Sequence, residues 1–335
     1  MKNYFSDYKE KRVLITGGLG MIGSNLAHKL VGNGAKVSII SNKIDMNRDI
    51  GKLFNIYKIQ HKIELFQNGI SDKTALISLV EGQDYIFNLA GQVNHNYGMK
   101  DPKNDAINNY FIHLNLLEVA KKYNPKVKII FPGSRLQYGE INKVPVDEMH
   151  PCNPKTPYSF HKLMSEKLYL YYHRMYGMKV ICFRLSNVYG IRNLMGLKNS
   201  SRLNDFIKLS LNHQEIKVFG DGQQKRDYIY VDDVMNAFLL SGLNNKCEGE
   251  VLNLGFGKPT KFIDMVSTIV KETNSKYIFV PWPDDYINIE TGNYYLDITK
   301  IKNLLGWFPK ISLENGIKET VAFYQKYGSN YGIAI

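Results

Sequence analysis

Short apolar, β-branched runs alternate with longer amphipathic stretches along the first half of the chain. Between the runs, stretches such as residues 21–31 and 107–123 repeat their apolar side chains at helical spacing. The runs themselves are RVLITG, AKVSII, KIELFQ, DYIFNLAG and VKIIFPGS. Apolar strands joined by helices are typical of a parallel sheet buried on both faces, so the pattern predicts an α/β fold with a doubly wound parallel sheet. In such a sheet, ligands bind beyond the carboxyl ends of the strands.

The pattern loosens after VICFRLSNVYG, which ends at Gly190. From there on, short strands and helices are joined by connections rich in Gly, Asn and Pro, and the strands are IKVFG, RDYIYV and GEVLNLG. We therefore expect a larger domain over residues 1–190 and a smaller C-terminal domain over residues 191–335 that mainly binds the substrate. The chain is expected to cross back between the two. The tail after Ala322 adds to neither pattern and is expected to be expendable.

The composition indicates a folded cytoplasmic protein. Of the 335 residues 44% are hydrophobic, no leader pattern begins the chain, and no apolar stretch approaches the ~20 residues of a membrane span. The net charge of +12 favours anionic partners, but the lysines are scattered, so we expect phosphorylated metabolites rather than nucleic acid or a membrane. Cys152, Cys182 and Cys247 lie far apart, which indicates reduced thiols and no metal site.

A glycine-rich turn follows the first predicted strand in ITGGLGMIGSNL. Gly17, Gly20 and Gly23 stand at G-x-x-G-x-x-G spacing, directly before an amphipathic helix. Gly17 permits the tight turn, Gly20 lets the backbone approach a pyrophosphate at the helix N-terminus, and Gly23 lets helix and strand pack closely. The turn predicts a dinucleotide bound to a Rossmann-type domain.

The end of the second predicted strand bears on which dinucleotide binds. An NAD site usually has an acidic residue there to accept hydrogen bonds from the adenosine ribose, whereas this chain has Ser41 and then Asn42 in VSIISNK. Lys43 and Arg48 follow and could neutralise a 2′-phosphate, although Ser41 and Asn42 can also bind a ribose hydroxyl. We favour NAD, and NADP stays open.

A tyrosine and a lysine in PYSFHK stand one helical turn apart. Tyr158 and Lys162 lie on one face of a helix that Pro157 helps to begin. An ammonium near a phenol favours the phenolate, so we expect Lys162 to lower the pKa of Tyr158 and make it a proton acceptor. Upstream, Ser134 in IIFPGSRLQYGE follows an apolar strand and supplies a hydroxyl where ligands are expected.

With these elements in this order, the chain resembles the extended short-chain dehydrogenase/reductase family over nearly its whole length. The resemblance is to its NAD-dependent nucleotide-sugar epimerase and dehydratase branch. It is carried by TGGLGMIG, DYIFNLAGQV, the stretch from Asn109 to Glu118 ending NLLE, GSRLQYGE, PYSFHKLMSEK, FRLSNVYGIR, VFGDGQQKRDYIYVDDV and NLGFG.

The resemblance implies a chemistry and a set of binding residues. Tyr158 would exchange a proton with a sugar hydroxyl, Ser134 would hydrogen-bond the same oxygen, and Lys162 would act on both the tyrosine and the cofactor ribose. The dinucleotide residues implied, besides the three glycines, Tyr158 and Lys162, are Met21, Ile22, Ser41, Asn42, Ile70, Leu89, Ala90, Gly91 and Asn109. The substrate residues implied are Asn187, Leu203, Phe219, Arg226 and, by a looser match, Tyr294. Helices over residues 107–123 and 158–176 would form a homodimer.

Departures from the family pattern narrow the reaction. Dehydratases carry an acidic pair directly after the catalytic hydroxyl, and decarboxylases a glutamate in that segment, whereas this chain has Arg135 and Leu136. Arg135 could meet a substrate carboxylate or a structural acid. A second phosphate-binding arginine is absent near Ile287.

We therefore expect an NDP-sugar 4-epimerase of the UDP-hexose type that retains NAD. The alternative is an NAD(P)H-dependent reductase of an NDP-4-keto-sugar, which uses the same residues. A dehydratase, a decarboxylase or a non-enzymatic relative is less favoured.

Overall fold

A seven-stranded parallel sheet forms the centre of the protein in the computed structural model, which describes residues 5–42, 44, 50–67, 73–93, 95–194, 201–283 and 290–334. Its strand order is β11-β6-β5-β4-β1-β2-β3, which confirms the doubly wound α/β prediction. The order reverses between β1 and β4, where such sheets bind ligands. The described strands are β1 Arg12–Thr16, β2 Lys36–Ile40, β3 Ile63–Phe66, β4 Tyr85–Asn88, β5 Lys128–Ser134, β6 Lys179–Leu185, β7 Asn187–Tyr189, β8 Ile216–Phe219, β9 Lys225–Arg226, β10 Tyr228–Tyr230, β11 Val251–Leu254, β12 Thr260–Lys261 and β13 Tyr277–Val280.

Helices cover both faces of this sheet. They are α1 Met21–Gly32, α2 Ile50–Phe54, α3 Lys73–Val80, α4 His95–Lys100, α5 Pro102–Ala106, α6 Ile112–Tyr123, α7 Pro157–Tyr176, α8 Arg202–Leu211, α9 Val231–Leu243, α10 Phe262–Thr273, α11 Thr299–Leu305 and α12 Leu313–Tyr327. The predicted helix over residues 107–123 begins with a π-helical turn, Ile107–Phe111, which joins α5 to α6. Within the described ranges, none of the helices combines the length and apolar character needed to cross a bilayer.

The central strands are buried on both faces, as their apolar runs predicted. Val13 and Ile15 of β1 point into one hydrophobic core, whereas Leu14 between them points into the other. The first core includes Leu26 of α1, and the second includes Leu116 of α6. Because successive side chains of a strand face opposite sides, a strand buried on both faces needs a continuous apolar run.

The second half of the chain adds three short strand pairs and one strand of the large sheet. β7 pairs with β10 and β8 with β13 in parallel, and β9 pairs with β12 in antiparallel orientation. The strand predicted from GEVLNLG, which we grouped with the smaller domain, is β11 and pairs with β6 at the edge of the central sheet. The chain therefore returns to the large sheet after residue 190.

The C-terminal tail packs into the core, so the prediction that it is expendable after Ala322 was wrong. The Tyr324 hydroxyl accepts a hydrogen bond from Asn193 N at 2.8 Å and donates one to Asn193 O at 2.9 Å. The Tyr331 hydroxyl donates to Asn55 Oδ1 at 2.6 Å, and Ile333 is buried. These tyrosines satisfy polar groups far away in the sequence, which local periodicity does not reveal.

Candidate active site

The glycine turn between β1 and α1 has the backbone that its spacing predicted. Gly17 has a φ of +67°, and a Cβ on it would lie 3.0 Å from Ala90 N and 3.0 Å from Leu89 O. A Cβ on Gly23 would lie 2.5 Å from Gly17 O, so only glycine lets α1 approach the turn this closely. Gly20 is the N-cap of α1, and no side chain caps that helix end. Its free backbone N–H groups suit a phosphate.

Several of the other residues expected to contact the dinucleotide lie near this turn. Met21 and Ile22 form the first turn of α1 and are half-buried. Ser41 follows β2, where its N–H donates to Phe66 O at 3.0 Å, and Asn42 beside it is exposed. Ile70, Lys43 and Arg48 lie outside the described residues.

The crevice at the carboxyl ends of β1 and β4 has the glycine turn as one wall. Its second wall is formed by Leu89, Ala90 and Gly91, which follow β4 and lie opposite the π-helical turn. A Cβ on Gly91 would lie 2.8 Å from Asn109 Oδ1 and 3.4 Å from Lys162 Nζ, so these three residues adjoin one another. Asn109 is fully buried, yet neither its Nδ2 nor its Oδ1 has a hydrogen-bond partner in the protein. A buried amide without partners is costly, and a polar ligand such as a nicotinamide nucleotide would satisfy it. The residues present therefore fit a dinucleotide.

This wall is held by a buried polar network that the sequence did not indicate. Thr16 Oγ1 donates to Asn88 Oδ1 at 2.6 Å and accepts from Ala90 N at 2.9 Å. Asn88 Nδ2 lies 2.8 Å from His113 Nδ1 and 2.6 Å from the Tyr169 hydroxyl. Burial lowers the pKa of His113 well below its usual value, so its ring is neutral. The network fixes the backbone at the end of β4 against β1.

Ser134 and Tyr158 meet at the carboxyl end of β5. Ser134 is the last residue of β5, and Tyr158 lies in the first turn of α7, which Thr156 caps. The Ser134 hydroxyl adjoins the Tyr158 phenol, and hydrogen bonding by Ser134 lowers the pKa of that phenol. Tyr158 is 8% exposed, so its phenol is almost withdrawn from water. The structure thus brings together the hydroxyl and the phenol that the sequence singled out.

A buried chain of hydrogen bonds behind β5 orients Ser134. Gln137 Oε1 accepts from Ser134 N at 2.7 Å, and Gln137 Nε2 donates to Glu166 Oε2 at 2.7 Å. Arg184 donates to both oxygens of Glu166, at 2.9 and 2.7 Å. Because each of these groups has a charged or polar partner, this series of hydrogen bonds holds the backbone of Ser134 rigidly.

Lys162 lies one turn beyond Tyr158 but faces the crevice wall. Its Nζ donates to Pro132 O at 3.4 Å and lies 5.0 Å from the centroid of the Phe131 ring. Burial lowers the pKa of Lys162 to about 8. Burial also raises the pKa of Tyr158 to about 12, and the hydrogen bond from Ser134 opposes this rise. The expected lowering of the tyrosine pKa by Lys162 was therefore wrong for the protein alone, because desolvation of the phenolate dominates.

A buried Asp–His pair adjoins these two residues and was missed at the level of sequence. Asp105 of α5 is fully buried, and its Oδ1 lies 2.7 Å from His161 Nδ1. The other carboxylate oxygen, Asp105 Oδ2, has no hydrogen-bond partner. A Cβ on Gly98 would lie 2.8 Å from Asp105 Oδ2 and 3.3 Å from Tyr158 N, so the carboxylate and the start of α7 are close together. The negative charge of Asp105 raises the pKa of both Lys162 and Tyr158. The only sequence signal was a histidine inside the PYSFHK motif.

Three of the residues expected to bind substrate, two arginines and one tyrosine, form a cluster. Arg226 Nη2 contacts Glu290 Oε1 at 2.6 Å, and its Nη1 donates to Gly292 O at 2.9 Å. The guanidinium carbons of Arg135 and Arg226 lie 3.9 and 5.7 Å from the centroid of the Tyr294 ring. Tyr294 is 1% exposed, and its hydroxyl has no partner. The structure thus brings three of the six expected substrate residues together.

The other three expected substrate residues lie on separate elements. Asn187 begins β7 and is half-buried, whereas Leu203 is buried in α8. Phe219 ends β8, and its ring centroid lies 5.7 Å from that of Trp282, a neighbour that the sequence did not suggest. Trp282 also packs against Gly220, since a Cβ there would lie 2.4 Å from its Nε1.

Comparisons with known proteins point to one family. The model of the NAD dependent epimerase/dehydratase family matches residues 13–255. A protein of Methanocaldococcus jannaschii with the provisional name UDP-glucose 4-epimerase is 35% identical over 92% of this chain and 97% of its own. The UDP-N-acetyl-alpha-D-glucosaminuronate decarboxylase of Bacillus cytotoxicus is 30% identical over 95% of this chain and 98% of its own.

A solved structure agrees with these matches. The crystal structure of UDP-glucose 4-epimerase with UDP-glucose from Thermotoga maritima superposes with a TM-score of 0.85 at 32% identity. The superposition covers 94% of this chain and 99% of that one.

Proposed function

Because the chain belongs to the NAD-dependent epimerase/dehydratase family, we propose that it is a 4-epimerase of nucleoside-diphosphate sugars with bound NAD as its cofactor. The observation that carries this proposal is that Ser134, at the carboxyl end of β5, adjoins Tyr158 in the first turn of α7, with Lys162 one turn further along that helix. It puts a proton acceptor and an orienting hydroxyl next to a crevice whose buried Asn109 lacks partners. Relatives named as UDP-glucose 4-epimerases support the same reaction.

In this proposal, the residues of the chain move one proton and hold two ligands. When bound, NAD supplies an acceptor for the hydride of the sugar C4 and returns that hydride later. Tyr158 takes the proton of the C4 hydroxyl at its phenolic oxygen and gives it back, while Ser134 hydrogen-bonds the sugar oxygen. Lys162 and Asn109 hold the cofactor, and Arg226 binds the diphosphate. No net oxidation results, so no added coenzyme is needed.

The residues after Ser134 support epimerisation over elimination of water. A dehydratase has to protonate a leaving hydroxyl, which requires an acid beside the catalytic hydroxyl. Arg135 and Leu136 occupy those positions, and neither can donate a proton near neutral pH. Decarboxylases also occur among the relatives, so carbon dioxide release is measured alongside epimerisation.

The reaction is tested by incubating purified protein with UDP-, dTDP-, CDP- and GDP-hexoses and no added coenzyme. We expect the C4 epimer of one sugar nucleotide to form, detected by NMR or anion-exchange chromatography. Product that forms only from a 4-keto sugar with added NADPH would replace the epimerase by the reductase. Release of carbon dioxide from a uronate would replace it by a decarboxylase.

Replacement of Tyr158 by phenylalanine tests the proton acceptor. The variant keeps the ring but loses the phenolic oxygen, so kcat should fall by ~10² to 10⁴ while NAD stays bound. Tyr176→Phe removes a hydroxyl from the far end of the same helix and serves as the matched control. Turnover by Tyr158→Phe equal to that of the control would contradict this role.

We also propose that the protein is a homodimer and that residues 1–190 mainly hold the cofactor while residues 191–335 mainly hold the substrate. The support for the dimer is an apolar surface on the π-helical turn and α7, whose exposed members are Ile107, Phe111, Phe160, Tyr171, Met175 and Tyr176. Exposed apolar side chains gathered on neighbouring helices suit a subunit interface.

A further inference from the structure

Arg135 has few partners for a guanidinium so far withdrawn from water. Its Nη1 donates to Thr291 Oγ1 at 2.5 Å. Its guanidinium carbon lies over the Tyr294 ring, 3.9 Å from the ring centroid. Its Nε is buried and has no hydrogen-bond partner. The residue as a whole nevertheless keeps part of its surface accessible. A guanidinium normally saturates its five donors, so this one has donors to spare.

No structural acid pairs with Arg135 in the part of the chain that the structure describes. The nearby carboxylate of Glu290 is bonded to Arg226 at 2.6 Å, and its Oε1 also accepts from the N–H groups of Thr291 and Gly292 at 3.0 Å. Two guanidiniums therefore lie near one tyrosine ring, and the one carboxylate described beside them is bonded to Arg226. The cluster carries an excess positive charge in a place of low exposure, and such a charge is stable only with an anion beside it.

We propose that Arg135 binds an acidic substituent, a carboxylate, on the hexose of the substrate. The proposal rests on the 4-epimerase function above and narrows its substrate class to nucleotide-linked uronic acids or similar acidic sugars. Carboxylates match the planar fork of arginine with two parallel hydrogen bonds, which lysine and glutamine cannot reproduce.

The position of Arg135 favours the sugar over the diphosphate as the source of that anion. Arg135 directly follows Ser134, whose hydroxyl contacts Tyr158, and the reacting C4 oxygen has to lie at that pair. In a hexose, the C6 substituent is two bonds from C4, whereas the diphosphate on C1 is across the ring. A side chain rooted beside Ser134 is thus nearer to the substituents next to C4, which include C6, than to the diphosphate on C1. Arg226, on β9, remains for the diphosphate.

The test compares three ligands and three substitutions in the NAD-loaded protein. UDP-glucuronate and UDP-glucose differ only in the C6 carboxylate, and UDP alone reports the diphosphate. Binding is measured by calorimetry, and kcat/KM by epimer formation. The wild type should prefer UDP-glucuronate to UDP-glucose by roughly 10- to 10²-fold, the range of a charge-assisted hydrogen-bonded pair. Arg135→Gln should bring that ratio close to 1, and Arg135→Lys should keep part of it.

Arg192→Gln is the matched control. Arg192 is also a partly buried arginine, but its Nη1 donates to Asn25 Oδ1 of α1 at 2.7 Å, away from the cluster around Tyr294. It should keep the wild-type ratio. A wild type that prefers UDP-glucose overturns the inference, as does an Arg135→Gln variant that weakens UDP, UDP-glucose and UDP-glucuronate equally. The binding ratio is read without turnover, so absence of any epimerisation would overturn the proposed function separately.

Discussion

At the residue scale, the charge of Lys162 depends on very few groups. Burial lowers its pKa to about 8, and Asp105 opposes that effect. His113 and Tyr158, the other titratable groups described beside it, carry no charge at neutral pH, because burial lowers the pKa of His113 and raises that of Tyr158. Asp105 is therefore the residue that keeps the ammonium protonated.

This balance predicts an alkaline limit to activity. A group with a lowered pKa loses its proton as pH rises, so kcat/KM should fall about tenfold per unit above pH 8 if the ammonium is required. Asp105→Asn removes the charge that raises the pKa, so the fall should begin at lower pH. Asp264→Asn, on an exposed position of α10, is the control and should keep the wild-type profile. A profile of Asp105→Asn that coincides with the control would contradict the role of Asp105.

Residues within local motifs could be predicted from the sequence, whereas pairs formed by packing could not. The glycine spacing and the turn between Tyr158 and Lys162 are properties of adjacent residues, so their placement followed from the motif. Asp105 and His161 are 56 residues apart and meet only because α5 packs on α7. The pKa of Tyr158 also required the structure, since burial decides its direction.

At the element scale, the close contact of α1 with the glycine turn predicts a sharp difference between two glycines of one helix. A Cβ on Gly23 would lie 2.5 Å from Gly17 O and 2.6 Å from Gly18 Cα, so Gly23→Ala has to push the helix away. We expect a loss of ~1 to 3 kcal/mol in the free energy of unfolding and at least about tenfold weaker NAD binding. Calorimetry measures the NAD affinity, and thermal melts measure the loss of stability.

Gly32→Ala is the matched control for this prediction. Nothing lies within 4 Å of a Cβ at Gly32, the last residue of the same helix. Alanine has the higher helix propensity, so this variant should bind NAD as the wild type does and gain up to ~1 kcal/mol. Equal NAD binding by the two alanine variants would show that the glycine turn does not hold the cofactor.

Periodicity predicted the existence of most elements but not the way they join. The stretch over residues 107–123 has a helical pattern throughout, yet its first turn is π-helical and buries Asn109 without a partner. A π turn shifts the register by one residue, and the apolar spacing of the sequence tolerates that shift. The family resemblance had already placed Asn109 among the dinucleotide residues, but the burial of its amide without a partner was visible only in the structure.

At the scale of the whole molecule, the alternation of strands and helices was enough to predict the sheet, but not the position of the tail. Parallel neighbours need a crossover connection, usually a helix, and the alternation of strands and helices supplies one between successive strands. Tyr324 and Tyr331 instead bond to Asn193 and Asn55, which are more than 100 residues away. Contacts of that range leave no periodic signal, so the tail was misjudged as expendable.

The proposed dimer makes a prediction of its own, because two exposed side chains on one face of α7 can be replaced to test it. Phe160 is 50% exposed and Met175 is 60% exposed, and burying such side chains contributes about 1.5 to 3 kcal/mol each. Phe160→Glu with Met175→Glu would place charges in a desolvated interface, so sedimentation should change from a dimer to a monomer at micromolar concentration. Met149→Glu, at a loop residue that is 89% exposed, should leave the dimer intact. A wild-type protein that already sediments as a monomer would require another explanation for the apolar surface.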